Sequence, residues 1–335
     1  MSPPPSPRLP RFGLLLCILV LGTPSAFAQS DWETAPRTAD FEAQGDAFYY
    51  TASQAVAGGE NRIEADFALG EARLHAGLLS TEPDAQAHIA IDTTFVALVE
   101  FVDLGHDGAL SAGDPVVQRE ELAGIAGANL DTRTVPPMGY EATATYPLRA
   151  PSDAPLGFDA PPGFLELRFE LAPQRQPGLD GPLAPNQVRY HVRIADFPFQ
   201  RNDTSLALET LMAATGQPRS ISSGFAADAH PFEVAHRWPP EALVDGSRRP
   251  AHVTLVQDGQ GPRETSAAAT RVAYFVVPPG ADVRFSPEAS VTRAQLVPIG
   301  PTGPQLLGDG AVYLLAVVSC VLVVGAATAA RLRRR

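Results

Sequence analysis

Residues 164–171 read FLELRFEL, and the fold turns on how that stretch is read. Leu165, Leu167, Phe169 and Leu171 alternate with Glu166, Arg168 and Glu170. Successive side chains of a strand point to opposite sides, so a period of two places the apolar set on one face and the charges on the other. The same period recurs on both sides of this stretch. In VRYHVRI, residues 188–194, Val188, Tyr190, Val192 and Ile194 share a face; in RIEADFAL, residues 62–69, Ile63, Ala65, Phe67 and Leu69 do. One dry face and one wet face is the habit of antiparallel sheets. VAYFVV (272–277) is a more continuous apolar run, expected as a central strand. AHVTLV (251–256), ahead of Asp258-Gly259, is expected as one arm of a hairpin.

Turn-rich segments separate these runs, and 33 prolines with 28 glycines leave little room for helices. One stretch, SLALETLMAATG (205–216), reads as helix or as strand equally well. Many short strands, Gly/Pro turns and no βα alternation predict an all-β, antiparallel sandwich, either one large or two small ones. The best seams for a division are the proline-rich segments 150–162 and 173–187.

The two ends carry addresses. Arg8 and Arg11 precede an apolar core at 12–22, and Ala26-Phe27-Ala28 gives a small–x–small cleavage pattern, so residues 1–28 are expected to be a signal peptide. Residues 311–330, AVYLLAVVSCVLVVGAATAA, contain no charge and match the roughly 20 residues that cross a bilayer as a helix. Arg331, Arg333, Arg334 and Arg335 follow at once, and such a cluster stays cytoplasmic. The expected order is therefore signal peptide 1–28, exported domain or domains 29–297, juxtamembrane linker 298–310, transmembrane helix 311–330 and arginine tail 331–335. That is a single-pass cell-membrane protein, partnered with the lipid bilayer through 311–330, with its bulk extracellular or periplasmic.

Composition narrows the function. The cysteines are Cys17 and Cys320, one in each terminal segment, so the exported part has no disulfide, no thiol nucleophile and no thiolate metal ligand. Every basic residue is arginine, which removes lysine-based Schiff-base chemistry. Six of the 25 basic residues lie in the terminal segments, leaving 19 against 37 acidic ones, a net of −18 for the exported part. A field of that sign argues against nucleic acid as a partner and suits divalent cations or basic surfaces.

One local motif stands out. Residues 103–114 read DLGHDGALSAGD, and the segments on either side, TFVALVEFV and PVVQREEL, read as strands. The twelve residues resemble the calcium loop of EF-hand and dockerin-type proteins, and the resemblance covers these twelve alone. It implies Ca2+ bound by Asp103, Asp107, the Ala109 carbonyl, Ser111 and Asp114, with Gly108 at the sharp turn and Leu110 at the apolar eighth position. Gly105 stands where a side-chain oxygen is usual and Asp114 is shorter than the usual glutamate. The implied affinity is weak, about 10⁻⁴ to 10⁻³ M. The same residues also suit a plain Asp/Gly-rich turn.

Other residues give less. His230 and His236 would share a face of an extended segment, although their spacing matches no common zinc pattern. SISSGF (220–225) lacks the glycine spacing of a nucleophile elbow. Asn202-Asp203-Thr204 is a glycosylation sequon, and Trp238 suits a core edge or a sugar-stacking platform. No motif assigns a catalytic activity. The reading is a cell-surface binding or structural module whose ligand is a surface protein or a glycan. The alternative is a carbohydrate-active or other hydrolase on the same scaffold.

Overall fold

The computed structural model describes Trp32, residues 35–148 except 109, 111 and 112, residues 163–255 except 222, and residues 267–275 and 282–293. The signal peptide, linker, anchor and tail expected at the two ends lie outside these residues, as does the seam at 150–162. Among the described residues no helix is long and apolar enough to cross a membrane.

In chain order the strands are β1 (Thr38–Gln44), β2 (Ala47–Val56), β3 (Gly59–Ala68), β4 (Arg73–Ser80), β5 (Ala87–Phe101), β6 (Val116–Glu121), β7 (Asn129–Val135), β8 (Gly139–Leu148), β9 (Gly163–Leu171), β10 (Gln176–Gly178) and β11 (Gly181–Leu183). They continue with β12 (Gln187–Ala195), β13 (Ser205–Thr215), β14 (Gln217–Ile221), β15 (Gly224–Ala229), β16 (Phe232–Arg237), β17 (Glu241–Val244), β18 (Ser247–Pro250), β19 (His252–Leu255), β20 (Ala267–Phe275), β21 (Val283–Phe285) and β22 (Glu288–Arg293). The first sheet runs β1-β2-β3-β4-β5-β13-β20-β19, with β6 also on β5. The second runs β14-β15-β16-β22-β12-β21-β17-β18, with β9, β8 and β7 continuing from β12, and β10-β11 is a separate hairpin.

The three alternating stretches fall in β3, β9 and β12, and their apolar residues are buried as the period requires. The ambiguous stretch at 205–216 is strand β13, paired along both edges with β5 and β20. Leu206, Leu208, Thr210 and Met212 point inward and Leu211 is exposed, again a period of two. What a helix reading misses is a bulge on the partner. Ala97 faces Glu209 and Phe95 faces Thr210, so Val96 is the extra residue of β5. Its carbonyl accepts the Leu122 N–H at 2.9 Å. β20 lies between β13 and β19, and β19 pairs with it as the expected hairpin arm.

Aromatic rings from the two sheets meet in the middle. Phe169 of β9 lies 4.6 Å from Phe67 and 5.3 Å from Phe48, centroid to centroid, and Tyr190 of β12 lies 5.6 Å from Phe95. Tyr146 donates a hydrogen bond to the Leu69 carbonyl at 3.0 Å, tying β8 to the turn after β3. One apolar cluster runs from Trp32 to Val291, and the described residues group as one compact unit. At about 1.5–3 kcal/mol for each large apolar side chain taken out of water, such a core dominates the stability of a fold that has no covalent cross-link.

Candidate functional site

The loop at 103–114 closes the β5–β6 hairpin, where Val102 N–H donates to the Pro115 carbonyl at 2.9 Å. The flanking segments are thus strands, as their sequences imply. The Asp103 carboxylate folds the loop onto itself by accepting from Asp107 N–H at 3.3 Å and Gly108 N–H at 2.9 Å. Asp114 Oδ1 accepts from Leu104 N–H at 3.0 Å and so ties the two ends of the loop together. Gly108 takes a left-handed φ of 70°, which suits the sharp turn. A Cβ on Gly105 would lie 3.5 Å from Asp107 Oδ2 and 3.8 Å from Asp103 Oδ1, so these two carboxylates converge beside the third position. They are hard oxygen donors, the chemistry calcium takes. Leu110 packs on a small apolar cluster of Ala97, Val99, Phe101 and Ala207. Ala109 and Ser111 lie outside the described residues, among which no three acidic, histidine or cysteine side chains group to hold a metal.

A larger concavity lies on the outer face of the second sheet, with a cavity volume of about 650 Å³. That falls within the usual range of roughly 300–1,000 Å³ for ligand sites. The period of two builds its floor: Arg168 from β9, His191 and Arg193 from β12, and Arg284 and Ser286 from β21 and just beyond it all project from the wet face. One wall is the tip of the β10–β11 hairpin, Leu179 and Asp180; the other is Pro239, Pro240 and β17, with Arg248 of β18. Leu179 and Leu243 are 53% and 41% exposed and give both walls an apolar rim. Four arginines and three carboxylates (Glu166, Asp180 and Glu241) line the groove, and each arginine meets a carboxylate: Arg168 pairs with Glu141, Arg248 with Glu241, and Arg193 and Arg284 share Asp282. Arg193 Nη2 meets Asp282 at 2.9 Å and Arg284 Nη2 meets the same carboxylate at 2.6 Å. The Arg284 hydrogen bond, with Arg193 beside it, holds Asp282 below the usual carboxylate range against the opposing effect of burial.

The hairpin wall is strapped to the sheet. Arg189 donates to the carbonyls of Gly181 at 3.0 Å and Pro182 at 2.9 Å, and Leu179 N–H donates to Glu170 Oε1 at 3.0 Å. At Gly178 a Cβ would lie 3.0 Å from both Glu170 Oε2 and the Gly181 carbonyl, so any larger residue would have to push the strap outward by a few tenths of an ångström. His191 lies beside this strap. Its Nε2 is 2.9 Å from Glu170 Oε2, its Nδ1 is 2.8 Å from Ser286 Oγ and 3.2 Å from Asp180 Oδ2, and Ser286 also donates to Asp180. The register explains the meeting: Val192 faces Phe285 and Arg189 faces Glu288, which carries His191 opposite Ser286 where β21 gives way to β22. Burial alone would raise the Glu170 pKa, but hydrogen bonds from His191 and Leu179 and the nearby Arg189 bring it below the ordinary value.

The histidines at 230 and 236 are not brought together. His230 is exposed in the turn before β16, whereas His236 is buried with its Nε2 2.7 Å from the Tyr190 hydroxyl. Burial lowers its pKa to about 3. Trp238 is a core residue, 2% exposed and edge-on to His236. Asn202 of the sequon is exposed, while the Thr204 hydroxyl donates at 2.7 Å to Glu100, which is fully buried. Sequence reasoning missed the Glu170–His191–Ser286 set. Its one local signal is a lone histidine on the charged face of VRYHVRI. No protein-family model matches the chain, and a search of curated proteins finds no similar one.

Proposed function

We propose that the protein is exported, anchored in the membrane through residues 311–330, and presents the groove on its second sheet as a binding face for an anionic surface glycan or protein. The observation that carries this reading is the groove itself, a concavity of about 650 Å³ where Arg168, Arg193, Arg248 and Arg284 gather, each held by a carboxylate of the protein that an acidic ligand would have to share or displace. Arginine presents a planar fork of donors matched to carboxylate and phosphate groups. In this reading the 103–114 loop binds Ca2+ weakly and stiffens the β5–β6 hairpin without taking part in recognition. Leu110 anchored on its apolar cluster and the convergence of Asp103 with Asp107 support it.

The test is calorimetric titration of the full chain in bilayer discs with uronate-bearing and with neutral oligosaccharides. The acidic ligands should bind, and the double change Arg248→Ala, Arg284→Ala should weaken them at least tenfold. Equal binding by that variant, or by neutral sugars, would refute the reading. For the anchor, protease added outside intact cells should remove nearly the whole protein and leave an arginine-tipped stub. One observation favours the second reading, a hydrolase on the same scaffold: the hydrogen-bonded set of Glu170, His191 and Ser286.

A further inference from the structure

The hydrolytic reading becomes specific at the groove floor, and the following inference rests on it. We propose that Ser286 is the nucleophile of a carboxylic-ester hydrolysis, with His191 as its general base and Glu170 as the residue that positions the imidazole. A nucleophile within hydrogen-bond reach of a base, itself oriented by a third group, is the geometric mark of an activated serine on any fold. Here Ser286 Oγ is 2.8 Å from His191 Nδ1, and the opposite ring nitrogen is 2.9 Å from Glu170 Oε2. Glu170 is buried and held by the Leu179 N–H. The reaction uses the tautomer in which Nε2–H donates to this carboxylate and Nδ1 keeps the lone pair that receives the serine proton. The groove opens directly above, with apolar rims at Leu179 and Leu243 and arginines along its floor. It suits an ester whose acyl part is small and apolar and whose alcohol part carries negative charge.

The chemistry balances with water alone. Ser286 Oγ attacks the ester carbonyl carbon while its proton passes to His191 Nδ1. The bond to the alcohol oxygen breaks, and that oxygen takes the proton from Nδ1. Water then attacks the acyl-serine, gives a proton to Nδ1, and releases the acid as Oγ recovers its hydrogen. Asp180 opposes this sequence. Its carboxylate, 56% exposed at the hairpin tip, accepts a hydrogen bond from the Ser286 hydroxyl and so competes with His191 Nδ1 for the serine hydrogen. Asp180 is thus a brake, which a purely structural network would not have.

Full-length protein in detergent is treated with a fluorophosphonate probe, in which serine attack at phosphorus expels fluoride, and assayed with p-nitrophenyl acetate. The label should map to Ser286 and be absent from Ser286→Ala. His191→Ala should slow acylation by about 10²–10⁴-fold. Glu170→Gln should lower kcat with KM unchanged. Asp180→Asn should raise the rate, an effect that loss of a structural contact does not give. Hydrolysis that persists in unlabelled Ser286→Ala would overturn this assignment while leaving the hydrolase reading intact. Wild-type protein that neither labels nor hydrolyses would remove both.

Discussion

Acid should unfold this protein partly through one histidine. His236 sits in the core between Tyr190 and Trp238, with 1% of its surface exposed. Nε2 lies 2.7 Å from the Tyr190 hydroxyl, while Nδ1 has no hydrogen-bond partner among the described residues, so a doubly protonated ring would leave one N–H without an acceptor. Its pKa is lowered by burial from 6.5 to about 3. The folded value lies below the unfolded one, so the stabilising contribution is complete above about pH 6.5 and is lost as pH falls from there toward 3. At pH 5, about 1.5 pH units below the unfolded value, the loss is about 2 kcal/mol, since each unit is worth about 1.4 kcal/mol. His75 acts in the opposite sense: its hydrogen bond to Asp92, against some burial, raises its pKa, so its contribution is present at low pH and fades as pH rises. A comparison with a variant is therefore needed to isolate His236. His236→Gln keeps an acceptor for Tyr190 and does not titrate. Urea unfolding of both proteins at pH 7.5 and pH 5 should show the stability gap between them changing by about 2 kcal/mol in favour of the variant at pH 5, or about 4–8 °C in Tm. A gap that stays constant across this range would refute the argument.

Calcium at about 10⁻² M, against a Kd on the order of 10⁻⁴ M, should stabilise the protein by roughly 2.7 kcal/mol. In thermal melts Asp103→Ala and Asp107→Ala should abolish that increment and His106→Ala should keep it; an unmoved wild-type melt leaves the loop a plain turn. Glu100 is fully buried and accepts from Gln200 N–H at 2.9 Å, Arg201 N–H at 3.0 Å and the Thr204 hydroxyl at 2.7 Å. Glu100→Ala strands two backbone donors at about 1–3 kcal/mol each, and urea unfolding should register the sum; a loss below about 1 kcal/mol would mean that water replaces the carboxylate.

What could be read from the chain was whatever is written locally. FLELRFEL, VRYHVRI and RIEADFAL declare strands because each carries its own period, and the Asp/Gly spacing of 103–114 declares a turn at the head of a hairpin. The stretch at 205–216 stayed ambiguous because its leucines at 206, 208 and 211 fit helical as well as extended spacing, and the choice is made by β5 and β20 flanking it. The groove was illegible for a related reason. Glu170, His191 and Ser286 belong to three different segments, and only the β9–β12–β21 register places them side by side.

The order of strands also constrains how the chain can be made. β1 to β5 form a meander in which each strand pairs with its predecessor, so this half can assemble as it is synthesised. The open side of β5 then waits for β13, and the Thr204–Glu100 bond that fastens the crossing spans 104 residues. β12 waits in the same way for β22, with Asn186 reaching Val291 across 105 residues. Topologies dominated by such distant pairings fold slowly, and unpaired strand edges in the interval are templates for intermolecular association. A nascent chain that stops short of Arg293 therefore leaves edges of β12 and β16 unpaired, and safe production depends on holding apart what β22 closes.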